Sequence, residues 1–240
     1  MQLRARFLPR GRGGAERPGA RLPGQHVREA PMSAHGPRKG PFVRELLGRS
    51  DYAIIGEIVL PGTKVLDLGC GDGELLQWLA QNKAVEARGV EISSERVQRA
   101  IARGVSVYQG DIDGGLAGYP DRAFDYVILS QTLQETRHPR TVLTEMLRVG
   151  RAAIVAFPNF GHWRMRLSML LSGRAPRTSL FPHLWYESPN IHFLTVHDFE
   201  DLAARENLVV ERRFFLAGRR AVTLLPNLLA EVAVFLVRRP

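Results

Sequence analysis

VLDLGCGDGELL, residues 65–76, is the stretch on which the fold turns. An apolar run meets Gly69, Gly71 and Gly73 at alternate positions, then passes into a helical pattern in which Leu75, Leu76 and Leu79 share a face. That is a strand entering a ligand-cradling loop and then a helix. Glycines at such a loop let the backbone approach a bound molecule closely. Two phosphate cradles fail on these residues. A P-loop needs Lys followed by Ser or Thr after its last glycine, and this chain has neither. The dinucleotide fingerprint needs Gly or Ala at position 74, where the chain has Glu74. Asp72 and Glu74 also place two carboxylates at the helix N-terminus, where a pyrophosphate would sit. Like charges that close repel by on the order of 1 kcal/mol or more.

A cationic ligand reverses the sign of that effect. S-adenosylmethionine carries a sulfonium and an ammonium and has no phosphate. The pattern beginning at Asp67 is D-x-G-x-G-x-G, and Asp67 is positioned to accept from the ammonium. Reading outward, residues 87–92 (ARGVEI) form a second strand that closes on Glu91, where a carboxylate accepts ribose hydroxyls. VSVYQ forms a third strand, followed by Asp111, suited to an adenine amino group, and by Ile112, suited to pack on the ring. Taken singly, each acid reads as a strand-end cap. Three acids at the carboxyl ends of three successive strands, beside one glycine loop, converge on a single crevice.

The rest of the chain continues the alternation. A helix is expected over about 50–59 with Ser50 or Asp51 as N-cap, stopped by Pro61-Gly62. A helix from Ser93 or Ser94 to Gly104, a strand FDYVILS ending at Ser130, a helix over about 139–148 and a strand RAAIVAFP follow. This β-α-β-α order predicts a parallel sheet covered on both faces. After Pro158 the rhythm breaks into a helix reaching Ser172 and an aromatic, proline-marked stretch, which predicts an insertion over the open end of the sheet. Thr195 and Asp198 fit a capping box for a helix over 196–206. VVERRFF and EVAVFLVRR read as a closing antiparallel pair of strands.

Composition narrows the class. The hydrophobic fraction of 45% is ordinary for a globular protein, and no apolar run approaches the ~20 residues that cross a bilayer. No signal-peptide pattern is present. A single cysteine, Cys70, excludes an intramolecular disulfide and a cysteine-based zinc site, so a cytoplasmic location without membrane contact is expected. The formal charge of +9 lies mostly in residues 1–40, where nine Lys/Arg face only Glu16 and Glu29, a net of +7. That segment also holds seven Gly and five Pro, so residues 1–40 are expected to be a disordered basic tail and residues 41–240 the domain. Residues 1–31 read as a dispensable tail or as an upstream start ahead of Met32. No nucleic-acid partner is expected.

At these residues the chain resembles class I S-adenosylmethionine-dependent methyltransferases. The residues concerned are VLDLGCGDG, Glu91, GDID at 110–113 and YPDRAFDYVILSQTLQ at 119–134. It is similar in more detail to the methionine-biosynthesis MetW branch through GVEIS, IARGVSV, EMLRVGRAAIVAFPNFGHWRMRL and LWYESPNIHFLTVHDFE, over roughly residues 41–214. The resemblance implies a Rossmann-like α/β fold with a seven-stranded, mostly parallel sheet. It implies S-adenosylmethionine or S-adenosylhomocysteine as ligand and homoserine O-acyltransferase as hetero-oligomeric partner. The candidate ligand-binding residues are Asp67, Gly69, Cys70, Gly71, Gly73, Glu91, Ile92, Asp111, Ile112 and Ser130.

No catalyst stands out. The position after strand four reads SQTLQ rather than the N/D-P-P-Y/F/W run of many amino-methylating enzymes of nucleic acid. His162, Tyr186 and His192 in the insertion are the candidates for an acceptor pocket; the same aromatic and histidine residues serve equally as packing and backbone-satisfying groups. Cys70 reads as a packing residue. Trp163, Leu167, Leu170 and Leu171 form one stripe of the insertion helix, with Arg164, Arg166 and Arg174 outside it as a solvated face or as a contact to an acidic partner.

Overall fold

The computed structural model describes residues 49–178 and 181–240. The basic tail and the domain boundary expected near residue 40 lie outside the described residues. Within them the order is α1 (Ser50–Ile58), β1 (Lys64–Leu68), α2 (Glu74–Lys83), β2 (Glu86–Glu91), α3 (Ser94–Ala102), β3 (Ser106–Gln109), β4 (Phe124–Ser130), α4 (Pro139–Val149) and β5 (Gly150–Pro158). Then come α5 (Trp163–Ser172), α6 (Val196–Arg205), β6 (Val209–Ala217), β7 (Arg220–Ala221), α7 (Pro226–Leu229) and β8 (Val232–Arg238).

The strands form one sheet in the order β3-β2-β1-β4-β5-β8-β6-β7. β1 to β5 pair in parallel, whereas β8 runs antiparallel to both β5 and β6. Seven strands were expected and eight are present among the described residues. The addition is β7, two residues that fold back on the end of β6 after a turn at Gly218, whose φ of 56° favours glycine.

Strand periodicity sorts the core into two layers. Leu66, Leu68, Val127, Leu129, Val155 and Phe157 face α4 and α6, and Phe157 stacks on Phe235 of β8 with ring centroids 5.9 Å apart. The alternate residues Val65, Ile128, Ile154 and Ala156 face α1 and α2. There Leu75, Leu76 and Leu79 are fully buried, each contributing about 2 kcal/mol of apolar transfer. The same parity puts the polar residues Asp67 and Ser130 on the α1 side, at the carboxyl ends of neighbouring strands.

Residues 159–195 form the insertion at that carboxyl edge. The loop returns to the sheet through the backbone N–H groups of Ile191 and His192, which donate to the Gln134 carbonyl just beyond β4. Asn159 holds its base. It is fully buried, donates to the carbonyls of Asn227 and Ala230, and accepts from the N–H of Gly161 and of Val196. Thr195 and Asp198 complete the expected capping box on α6.

Candidate ligand-binding site

The glycine loop is tied to β2. The Gly69 and Cys70 N–H groups both donate to the Val90 carbonyl, and the Gly71 N–H donates to the Glu91 carboxylate at 2.9 Å. Gly69, Gly71 and Gly73 all have positive φ. At Gly69 a Cβ would also stand 2.7 Å from Thr132 Oγ1, so the residue must be glycine for two reasons. Cys70 turns inward, where its sulfur fills the space beside Gly89. Burial, then the nearby charges of Asp67 and Glu91, push its thiol pKa up, so it is no nucleophile.

Asp67 is the most exceptional group in the cradle. It is only 3% exposed, and its Oδ1 has no hydrogen-bond partner. Burial pushes its pKa up to about 7, partly offset by the Arg49 guanidinium and reinforced by the charges of Asp51 and Glu91. A buried carboxylate oxygen without a partner is costly and calls for a donor or a cation.

Glu91 is buried and already occupied on both oxygens, by the N–H groups of Gly71 and of Ser93 at 2.9 and 3.0 Å. These bonds fix the loop, and each oxygen keeps a second lone pair with which to accept. Asp111 is exposed and accepts from the Asp113 N–H, capping a short turn. Ile112 packs half-buried on the core, and Ile92 is exposed at the rim. The expected residues therefore gather at the carboxyl ends of the neighbouring strands β1, β2, β3 and β4.

Two sequence expectations change here. Asp72 and Glu74 are not free anions repelling a phosphate: Arg99 pairs with Asp72 at 2.9 Å and Arg103 with Glu74 at 3.1 Å. The unpaired buried carboxylate that favours a cationic ligand is Asp67. Nor does Asp51 or Ser50 cap α1. The N-cap is Arg49, and the Asp51 side chain turns inward, buried, to pair with Arg49 at 2.6 Å and to accept from the Ser130 hydroxyl. Arg49 also donates to Ser130 at 2.8 Å and lies over the Tyr52 ring at 4.3 Å. Ser130 thus supports the cradle through Arg49 and Asp51, two residues that sequence reasoning missed. The signal was thin: an Arg-x-Asp pair just ahead of a helix reads as a cap.

The insertion candidates separate. His162 is a buried helix cap whose Nδ1 accepts from the Arg164 N–H, and burial lowers its pKa. Its acceptor lone pair is already engaged, which argues against a role as base. Tyr186 is exposed, edge-on to Trp185. His192 is held beside Gln134, and its Nε2 is buried without a partner, as is the Gln134 Oε1. Of the three, His192 is the one bonded through its backbone to the segment just beyond β4.

The profile of the family "Methionine biosynthesis protein MetW" matches residues 49–237, almost the whole described chain. The chain belongs to that family. The bifunctional methionine biosynthesis protein MetXA/MetW of Rhodopirellula baltica is 37% identical over 202 residues, covering 79% of this chain and 32% of that protein. The chain spans about a third of the length of the curated relatives it matches. Among solved structures, a SAM-dependent methyltransferase from Thermotoga maritima superposes with a TM-score of 0.57 at 18% identity, covering 80% of this chain and 91% of that one. An S-adenosylmethionine-dependent methyltransferase from Mesorhizobium loti gives 0.58 at 15% identity, covering 80% and 99%. These structures establish the fold of this MetW-family chain as the Rossmann-like class I methyltransferase fold. No helix among the described residues is long and apolar enough to cross a membrane.

Proposed function

We propose that this MetW-family chain binds S-adenosylmethionine or S-adenosylhomocysteine and serves methionine biosynthesis in the cytoplasm as a hetero-oligomeric partner of homoserine O-acyltransferase. The observation that carries the reading is the relative in which MetXA and MetW share one chain. Fusion through a short flexible linker raises the effective concentration of two proteins to about millimolar, which favours their contact. In the ligand half of the reading, Asp67 takes the ammonium, Glu91 the ribose hydroxyls and Asp111 the adenine amino group, while Ile112 packs on the ring. When bound, S-adenosylmethionine supplies an activated methyl group. The chain's own residues offer little to direct that group to an acceptor: His162 is engaged as a cap and the Cys70 thiol is suppressed. An accessory role therefore fits better than turnover.

The test is to mix this chain with homoserine O-acyltransferase at micromolar concentration, with and without S-adenosylmethionine. Co-elution and a changed rate of acyl transfer are expected; neither occurring sinks the reading. A second reading, a methyltransferase acting on a small molecule, is favoured by the buried, unpartnered Nε2 of His192, whose backbone is bonded to Gln134 just beyond β4. It requires adenosylhomocysteine to accumulate with some acceptor.

A further inference from the structure

Residues 159–186 carry the four arginines Arg164, Arg166, Arg174 and Arg177 and no Asp or Glu. In the same stretch α5 buries only Met165. Its stripe of Trp163, Leu167, Leu170 and Leu171 faces solvent instead of the sheet, with Leu170 81% and Leu171 76% exposed. Trp185, 77% exposed, and Tyr186 extend the apolar character into the following loop. This surface is not a loosely attached segment. Phe160, immediately before α5, packs on Phe181 and Phe193 with centroids 5.6 and 4.7 Å apart, and Asn159 fixes the base. A rigid platform that leaves large apolar side chains in water marks an interaction surface. Its Trp, Tyr and Arg content matches the anchors of protein interfaces.

We propose that the exposed stripe of α5, with its arginine flanks, is the surface on which this chain docks homoserine O-acyltransferase, through an apolar patch rimmed by carboxylates on that partner. The inference rests on the partner reading above and adds its location. Two observations select a protein partner over a second copy of the chain. One is the fused MetXA/MetW relative. The other is charge: a twofold contact through this face would set Arg164 and Arg166 of each copy against those of the other, with no acid between residues 159 and 186 to offset them.

The test uses the full chain and purified homoserine O-acyltransferase in a titration followed by calorimetry. Leu170→Ser/Leu171→Ser changes only exposed side chains, so the melting temperature and S-adenosylmethionine affinity should stay at those of the unmodified chain. Affinity for the acyltransferase should fall at least tenfold. Arg164→Glu should weaken it independently and remove part of its salt dependence. If the unmodified chain binds and the double variant binds within twofold of it, the docking surface lies elsewhere and this inference is overturned, with the partner reading intact. If the unmodified chain does not bind the acyltransferase at all, both fall. If sedimentation shows instead that the double variant abolishes self-association, or anionic vesicles compete the stripe away from the acyltransferase, the occupant named here is wrong.

Discussion

Asp67 concentrates the chemistry of the site into one side chain. Its position at the end of β1 puts it on the α1 face, and the hydrophobic layer around it strips away water. Burial holds its folded pKa near 7, above the 3.8 of an unstructured aspartate. A carboxyl group raised in this way adds stability that is complete below the lower value and is lost as pH rises through the upper one. Asp67→Asn is neutral at every pH. It should therefore raise the melting temperature by a few degrees at pH 8 and by less at pH 5, read by thermal unfolding; an equal change at both would show that the carboxyl does not titrate in this window. The same substitution should weaken S-adenosylmethionine binding tenfold or more in calorimetry, the loss of one charge-assisted hydrogen bond of about 1.5–3 kcal/mol. Because a cationic ligand selects the carboxylate, binding to the unmodified chain should tighten from pH 6 to pH 8 and flatten above it. Asp67, Glu91 and Asp111 were legible because strand ends and glycine spacing place them. Arg49 and Asp51 were not, because Ser130 reaches Asp51 across 79 residues of sequence. No local pattern encodes that meeting.

At the scale of elements, the insertion shows why periodicity informs only half of a packing question. Spacing correctly groups Trp163, Leu167, Leu170 and Leu171 on one stripe, but it cannot say whether a sheet or water lies opposite; here it is water. The sheet and its flanking helices were readable because buried parallel strands are near-continuous apolar runs separated by glycine and proline stops. What holds the insertion to that sheet is a polar staple with no apolar signature. Asn159 satisfies the carbonyls of Asn227 and Ala230 and the N–H groups of Gly161 and Val196. Asn159→Ala leaves these groups buried and unmatched, so a loss of about 2–4 kcal/mol is expected in urea unfolding with the denaturant slope unchanged. Gly161→Ala should act on the same joint, since its Cβ would stand 2.8 Å from Asn227 Oδ1 and 2.9 Å from the Asn227 carbonyl. Were Asn159→Ala neutral, the hold on the sheet would rest instead on the Ile191 and His192 N–H groups at the Gln134 carbonyl.

For the whole molecule, the distribution of charge separates two surfaces that a net of +9 conflates. Residues 41–240 carry only +2, and several arginines of the described residues are committed to carboxylates, among them Arg99 to Asp72 and Glu95, Arg148 to Glu145 and Asp121, and Arg238 to Glu211. The arginines of residues 159–186 stand apart from this pattern: among the described residues none is paired with an acid, Arg164 lies over the Trp163 ring at 5.4 Å, and Arg166 and Arg177 donate to the carbonyls of Gly161 and Pro182. Residues 1–31 hold seven arginines against Glu16 and Glu29. Affinity for a polyanion scales with the number of phosphates neutralised and falls steeply with salt. Retention of the full chain on duplex DNA or heparin at low salt is therefore expected to vanish when residues 1–31 are deleted, while binding of S-adenosylmethionine and of the acyltransferase persists. Retention that survived the deletion and then fell with Arg164→Glu would place a polyanion on the α5 face, where it would compete with the acyltransferase. Competition between DNA and the acyltransferase for the truncated chain is thus the measurement that assigns the basic charge, and its absence leaves the α5 arginines to a protein partner.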